Sequence, residues 1–229
     1  WFRLPEDAST VTLSAPGYAS ATVSVSEPHT VAVLEPIAAG LFHGRRIVLD
    51  PAYGGRVAGL IGPTGTRASD VNLDVAARTA RLLRDAGAAV ILTREDDSES
   101  SDLDRLECVE TAGPDLLLIV SYGMPPAEAR ALDSAGMRRD DLSRFFGYYP
   151  GSSNGMRLAR ALGERFEGVA SAPCVAYLVQ QTACTALLFQ PACIADPDEE
   201  LRYWSLAVRD EDARRVYHAL SRYFEESAR

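Results

Sequence analysis

Lysine is absent from all 229 residues: the 23 basic side chains are all arginine, set against 32 acidic ones. This bias reads as the arginine-rich coding of a high-GC genome rather than as a selected surface. The net charge of -9 repels phosphate backbones and anionic lipid, which argues against a nucleic-acid partner. Histidine is scarce, with only His29, His43 and His218. The four cysteines, Cys108, Cys174, Cys184 and Cys193, show no CxxC spacing and lie in or beside apolar segments. That pattern suits buried thiols better than a zinc cage, and one disulfide stays open for an exported chain. The longest apolar runs, such as 116–120 and 174–179, fall far short of the roughly 18 to 20 residues that span a bilayer. The chain starts at Trp1 without a methionine or an apolar signal core, so an export signal or anchor is expected upstream of it.

The residues present describe a folded protein. An apolar fraction of 47% and a charged fraction of 24% are those of an ordinary globular chain, and the length suffices for one α/β domain with a small appended module. Residues 1–39 contain the strand-like alternations TVTLSAPGYASATVSV and HTVAVLEP, broken by Pro16-Gly17 and Pro28, and predict a small β module. After the spacer IAAGLFHG, residues 45–229 switch to strands alternating with helices.

In that second part the expected strands are 47–50, 89–93, 116–121, 175–179 and 185–189, and the expected helices are 70–86, 103–112, 155–166 and 211–224. Residues 116–121 are apolar throughout except for the final serine, as befits a central parallel strand covered on both faces. The segment between this strand and residue 155 reads as a long loop. Together these elements predict a doubly wound, mainly parallel sheet whose ligands sit beyond the carboxyl ends of its strands.

Several phrases occur in a telling order: RRIVLDPAYGG, then GLIGPTGTRASDVNLDVAARTARLLRDAGAAVILTREDD, DRLECVETAGPDLLLIVS and TACTALLFQPACIADPDEE. They resemble the zinc-dependent N-acetylmuramoyl-L-alanine amidases of the Amidase_3 type over roughly 45–227. The N-terminal APGY turn with its Val/Thr alternation more loosely resembles the short PEGA-type β modules of cell-envelope proteins. The amidase resemblance implies a bacterial envelope protein, outside the cytoplasm, whose partners are peptidoglycan fragments or a cell-wall protein.

The same resemblance marks where this chain departs from the family. The family's first zinc histidine, in a DPGHGG-like turn, falls on Tyr53. Its zinc-binding glutamate falls on Ala68, its second histidine on Ser121 (Tyr122 if the register slips by one), and its catalytic glutamate on Gln190. A catalytic zinc takes about three protein ligands and leaves one position for water; phenol, methyl, hydroxyl and amide are poor substitutes, and Gln cannot relay a proton. The expectation is therefore an amidase-like domain with no intact catalytic residue and no zinc, binding wall fragments or a partner protein. Alternatives are an active amidase with an altered metal site and a purely structural module with a filled cleft.

Candidate ligand contacts are Asp50, Tyr53, Tyr122, Tyr148 and Gln190, with Tyr149 beside them, since aromatic faces suit sugar rings and peptide amides. Equally, the tyrosines would fill space vacated by histidines and metal, with Gln190 bonded to Ser121. Asp50 is expected to hold the turn by accepting backbone hydrogen bonds, and Asp70 to cap the following helix. Arg138 and Arg139, beside Asp140 and Asp141, read as a solvated charged loop, with gripping of an acidic peptide as the alternative. His218 reads as a surface or edge position.

Overall fold

The structure is a computed structural model that describes residues 10–13, 21–24, 34, 40–125 and 143–227. In the N-terminal part, β1 (Thr10–Leu13) and β2 (Ala21–Ser24) form an antiparallel hairpin with Val11 opposite Val23. Most of the HTVAVLEP run, His29 and the Arg138–Asp141 loop lie outside the described residues.

The second part is built on a six-stranded sheet comprising β3 (Arg46–Pro51), β4 (Ala89–Leu92), β5 (Leu116–Val120), β6 (Phe145–Tyr148), β7 (Ala170–Pro173) and β8 (Thr185–Gln190). Their spatial order is β4-β3-β5-β8-β6-β7. The first four of these run parallel, and β6 joins β8 antiparallel. All five residues of β5 are buried, as its unbroken apolar run requires of a strand covered twice.

Alternate strand residues serve two cores. Leu49, Leu118, Leu187 and Phe189 pack under α1 (Ala68–Asp85), α3 (Ser153–Gly163) and α6 (Leu206–Ser227). Val48, Leu117, Ile119 and Leu188 pack with Val109 of α2 (Asp102–Ala112) and with Leu178 and Val179 of α4 (Tyr177–Gln181). One short helix, α5 (Pro197–Tyr203), follows β8. Helices on both faces of a mostly parallel sheet bear out the expected fold class.

Three expectations need correction. The apolar run at 175–179 is not a strand: the strand lies at Ala170–Pro173, and Tyr177–Gln181 is a helix. A five-residue apolar run fits either buried state, whereas Pro173 fits the end of β7 because that strand is the sheet's edge and needs no further ladder bond there. The expected long loop contains β6; its Gly147 leaves room for Cys174, whose Sγ would be 2.6 Å from a Cβ at that position. Finally, Asp70 is not the cap of α1. The N-cap is Arg67, which makes no side-chain cap bond; Asp70 sits in the first turn, where its charge meets the helix dipole.

Helix α6 is tied to the sheet by a buried polar knot. Tyr122, just past β5, and Tyr203, at the end of α5, both donate their hydroxyls to Oδ2 of Asp212, at 2.8 and 2.6 Å. The other carboxylate oxygen of Asp212 has no hydrogen-bond partner among the described residues. Burial raises the Asp212 carboxyl above its ordinary value, against the two tyrosine hydroxyls that lower it. A carboxyl raised on folding binds its proton more readily in the native state, so its contribution to stability declines as pH rises from the ordinary value of 3.8 through the native one. In urea unfolding across that range, the stability of the parent relative to Asp212→Asn is expected to fall with rising pH. Parallel curves would refute the assignment.

Candidate functional site

The carboxyl ends of β3, β5 and β8 converge on one spot. Beyond β3 the chain must turn at once, and it does so in a conformation rare for a side chain larger than glycine: Tyr53 has φ 66°, followed by Gly54 at 145° and Gly55 at 57°. Left-handed backbone at a bulky residue persists only where the surroundings enforce it. Here two buried arginines supply the constraint. Arg94, from the turn after β4, donates Nε to the carbonyl of Pro51 at 2.8 Å, and also reaches the carbonyl of Ser69 at 2.8 Å. Arg105, on α2, donates to the carbonyls of Pro51 at 3.0 Å, Tyr53 at 2.8 Å and Ser100 at 3.2 Å.

Both guanidiniums are 4% exposed, and Asp50, 2% exposed, pairs with Arg105. Burial, reinforced by the charge of Arg105, lowers the Arg94 pKa. Asp50 thus accepts from the side chains of Arg105 and Thr93, which corrects the expected backbone role. The turn carbonyls find their donors on arginine side chains instead.

Tyr53, Ala68, Ser121 and Gln190 are brought together here. A Cβ placed on Gly59 would lie 2.6 Å from Cδ2 of Tyr53 and 3.1 Å from Cβ of Ala68. One placed on Gly123 would lie 2.9 Å from the same Ala68 methyl. Ala68, Ser121 and Gln190 are fully buried. Ser121 donates its hydroxyl to Oε1 of Gln190 at 2.9 Å, and the Met124 amide donates to the same oxygen at 2.9 Å. The amide nitrogen of Gln190 donates to the Ser143 carbonyl at 3.3 Å. Beneath them Asn72, fully buried on α1, donates to the Ala52 carbonyl at 2.9 Å and accepts from the Tyr122 amide at 2.8 Å, joining β3 to β5.

An open cleft of about 740 Å³ adjoins this packed spot, with Asp50, Tyr53, Arg105, Met124, Tyr177 and Leu178 among its walls. Three expected rim residues are not there. Tyr122 is fully buried with its hydroxyl on Asp212, because the alternation at the end of β5 sends its ring to the α6 face. Tyr148 lies on β6, half-buried against that same core, and Tyr149 is exposed beyond it without lining the cleft.

His43 is exposed in the spacer. His218 is half-buried on α6, where burial and Arg165 push its imidazole below the usual value. Among the described residues all four cysteines are unpaired, and burial pushes the Cys174 thiol up to about 11. Also among them, no group of three or more His, Cys, Asp or Glu is placed to hold a metal ion.

Arg94, Arg105 and Asn72 escaped the sequence reading. They stand inside TREDD, DRLECVETAG and DVNL, phrases that carry the family resemblance, but arginine is by default a surface residue and nothing local marks these two as buried.

Comparison with known proteins agrees with this fold. Residues 47–123 match the family model Amidase_3, N-acetylmuramoyl-L-alanine amidase. The chain is 26% identical over 187 residues to the N-acetylmuramoyl-L-alanine amidase LytC of Bacillus subtilis (strain 168), covering 79% of this chain and 36% of LytC. It therefore spans about a third of that relative. Among solved structures it resembles the amidase AmiC2 of Nostoc punctiforme, with a TM-score of 0.64 at 18% identity over 82% of this chain and 99% of that one. It also resembles CwlD of Clostridioides difficile, solved in complex with the GerS lipoprotein, with a TM-score of 0.66 at 16% identity over 80% and 99% of the two chains. The fold and the matched segment together define an amidase-like domain. The resemblance to the N-acetylmuramoyl-L-alanine amidases of the Amidase_3 type is thus upheld.

Removing one partner of the buried ion pair tests the clamp. Arg105→Leu strands the Asp50 carboxylate and is expected to cost about 3–5 kcal/mol in chemical denaturation. The double variant Asp50→Asn/Arg105→Leu is expected to recover part of that loss. If the double variant is no more stable than the single one, the pair does not hold the turn.

Proposed function

We propose that this domain is a catalytically inactive relative of the amidases that binds peptidoglycan fragments in the cell envelope, outside the cytoplasm. The observation that carries this reading is the packing of Tyr53 and Ala68 against Gly59, of Ala68 against Gly123, and the bonding of Ser121 to Gln190, beside an open cleft. At these positions the family resemblance expects the zinc ligands and the catalytic glutamate.

The donor set does not fit zinc. The metal takes about three nitrogen, oxygen or sulfur ligands from the protein and holds a water whose pKa falls to about 7. Ala68 offers a methyl group. Ser121 already donates its proton to Gln190. A tyrosine ligates as phenolate, which costs several pKa units at neutral pH unless a metal is already held by other groups. Gln190 keeps the shape of a glutamate without a transferable proton, and its oxygen is engaged by Ser121 and Met124.

What remains is a wall suited to binding. The cleft keeps a tyrosine face, apolar side chains and buried charge behind the clamped turn, a composition common to ligand sites. A cell-wall protein as the bound partner is the second reading, supported by the likeness to CwlD, which was solved with a lipoprotein.

Three measurements on one preparation test the proposal. Plasma mass spectrometry of gently purified protein is expected to find no stoichiometric zinc, and incubation with soluble muropeptide is expected to release no peptide. An NMR titration with that muropeptide is expected to shift resonances of the cleft residues. Stoichiometric zinc with product release would establish an active amidase instead, and unaltered spectra at millimolar muropeptide would leave a structural module or a protein partner.

A further inference from the structure

Four large apolar side chains, Ile61, Leu201, Trp204 and Leu206, are 53 to 58% exposed and lie on two neighbouring pieces of chain. Ile61 belongs to the loop ahead of α1, Leu201 to α5, and Trp204 and Leu206 to the corner between α5 and α6. The loop and the helix are bolted together. Glu200 accepts from the amides of Thr64 and Thr66 at 2.9 and 3.0 Å and from the Thr64 hydroxyl at 2.7 Å. A Cβ placed on Gly62, next to Ile61, would lie 2.3 Å from the same carboxylate. Trp204 donates its indole Nε1 to Oγ1 of Thr66 at 3.0 Å, and the adjacent Tyr203 is buried with its hydroxyl on Asp212. Apolar residues exposed one at a time are ordinary on a folded protein. A cluster centred on a tryptophan that is held in place by its own N–H is instead the anatomy of an association surface.

The charges on this face indicate what covers it. Along α5, Asp198, Leu201 and Arg202 follow the i, i+3, i+4 spacing that stacks side chains on one side of a helix, and Trp204 follows at the C-cap. The Asp198 carboxylate is exposed and makes no ion pair among the described residues; only its amide is used, on Asp196. Arg202 meets Glu199 at 3.4 Å, a surface contact of little strength. An acid with a guanidinium four residues further on, about 6 Å along the axis, is a self-complementary pattern. When two such helices lie antiparallel across a two-fold axis, each Asp198 faces the partner's Arg202, the two Leu201 side chains meet near the axis, and each Trp204 covers the start of the other helix. Such a pairing is isologous, so one face supplies both halves of the contact.

We propose that this chain self-associates into a two-fold dimer through the face of α5, with Leu201 and Trp204 at the centre, Ile61 and Leu206 at the edge, and Asp198 of one protomer paired with Arg202 of its partner. None of the four apolar residues lines the cleft, so the dimer leaves the cleft open and stands apart from the wall-fragment reading. A helix of seven residues and one loop make a small interface, and the dissociation constant is expected on the order of 10–100 µM.

Trp1 and Trp204 are the only tryptophans, so in a Trp1→Phe background fluorescence reports Trp204 alone. Sedimentation velocity from roughly 5 to 500 µM is expected to show a monomer passing into a dimer, with Trp204 emission moving to the blue over the same range as its ring leaves water. Leu201→Asp, at an exposed position, is expected to weaken association about thirtyfold or more. Asp198→Arg and Arg202→Asp each bring like charges together and are expected to weaken it several-fold, whereas the two combined restore opposite charges and are expected to recover it. A monomer at every concentration overturns the proposal and leaves the face to a different protein, a result that needs no interface variant. A dimer that survives Leu201→Asp lies on another face and overturns it too. Loss in both single charge variants without recovery in the double one refutes the antiparallel pairing.

Discussion

Everything around the candidate site depends on two guanidinium groups buried under one turn. The sheet exits at Pro51 into a reversal that leaves several carbonyls pointing inward without ladder partners, and buried carbonyls without donors are costly. Arginine, with five donors in a planar fork, can satisfy several at once. Arg94 arrives from the neighbouring strand's turn and Arg105 from the helix on the opposite side, so the turn is held from two directions. Asp50 offsets part of the charge thus brought inside. With the carbonyls fixed, the left-handed conformation of Tyr53 has nowhere to relax.

That constraint settles what the tyrosine ring can do. Its backbone is pinned, and its ring lies against Gly59, whose missing side chain is what admits it. The Ala68 methyl then closes the gap toward Gly123, and Gln190 reads the hydroxyl of Ser121 and the amide of Met124 from the far strand. Each of these residues is small, amidic or aromatic, and Ser121 and Gln190 bond each other. A place where three strand ends meet is ordinarily where an α/β fold keeps its chemistry. Here Tyr53, Ala68, Ser121 and Gln190 meet at that place, and an open cleft lies to its side, between the clamped turn and α4.

On the opposite face the sheet is held differently. Tyr122 and Tyr203 share one oxygen of Asp212, linking β5, α5 and α6 through a single carboxylate. Glu200 on α5 does a similar service for the loop ahead of α1, accepting from the amides of Thr64 and Thr66 and the hydroxyl of Thr64. Side chains from the end of the chain thus steady the loop that leads into Ala68, while the arginine clamp steadies the turn that carries Tyr53. Polar groups this deep favour one arrangement because every alternative leaves some of them unpaired.

How much of this was legible beforehand follows from the range of the interactions involved. The central strands and long helices could be read directly, because an apolar run such as LLLIV or a stripe spaced along 211–224 reports local periodicity that burial then obeys. The meeting of Tyr53, Ala68, Ser121 and Gln190 was also accessible, through an ordered set of phrases rather than through any one residue. FFGY was passed over because four residues between a charged stretch and a turn carry too little pattern, and the helix at 177–181 because a short apolar run looks alike in either state. Which way Tyr122 points, whether Arg94 and Arg105 are surface or core, and where the open cleft lies were decided only by tertiary structure. Those outcomes depend on partners 25 to 90 positions away along the chain, and no local preference encodes a partner at that distance.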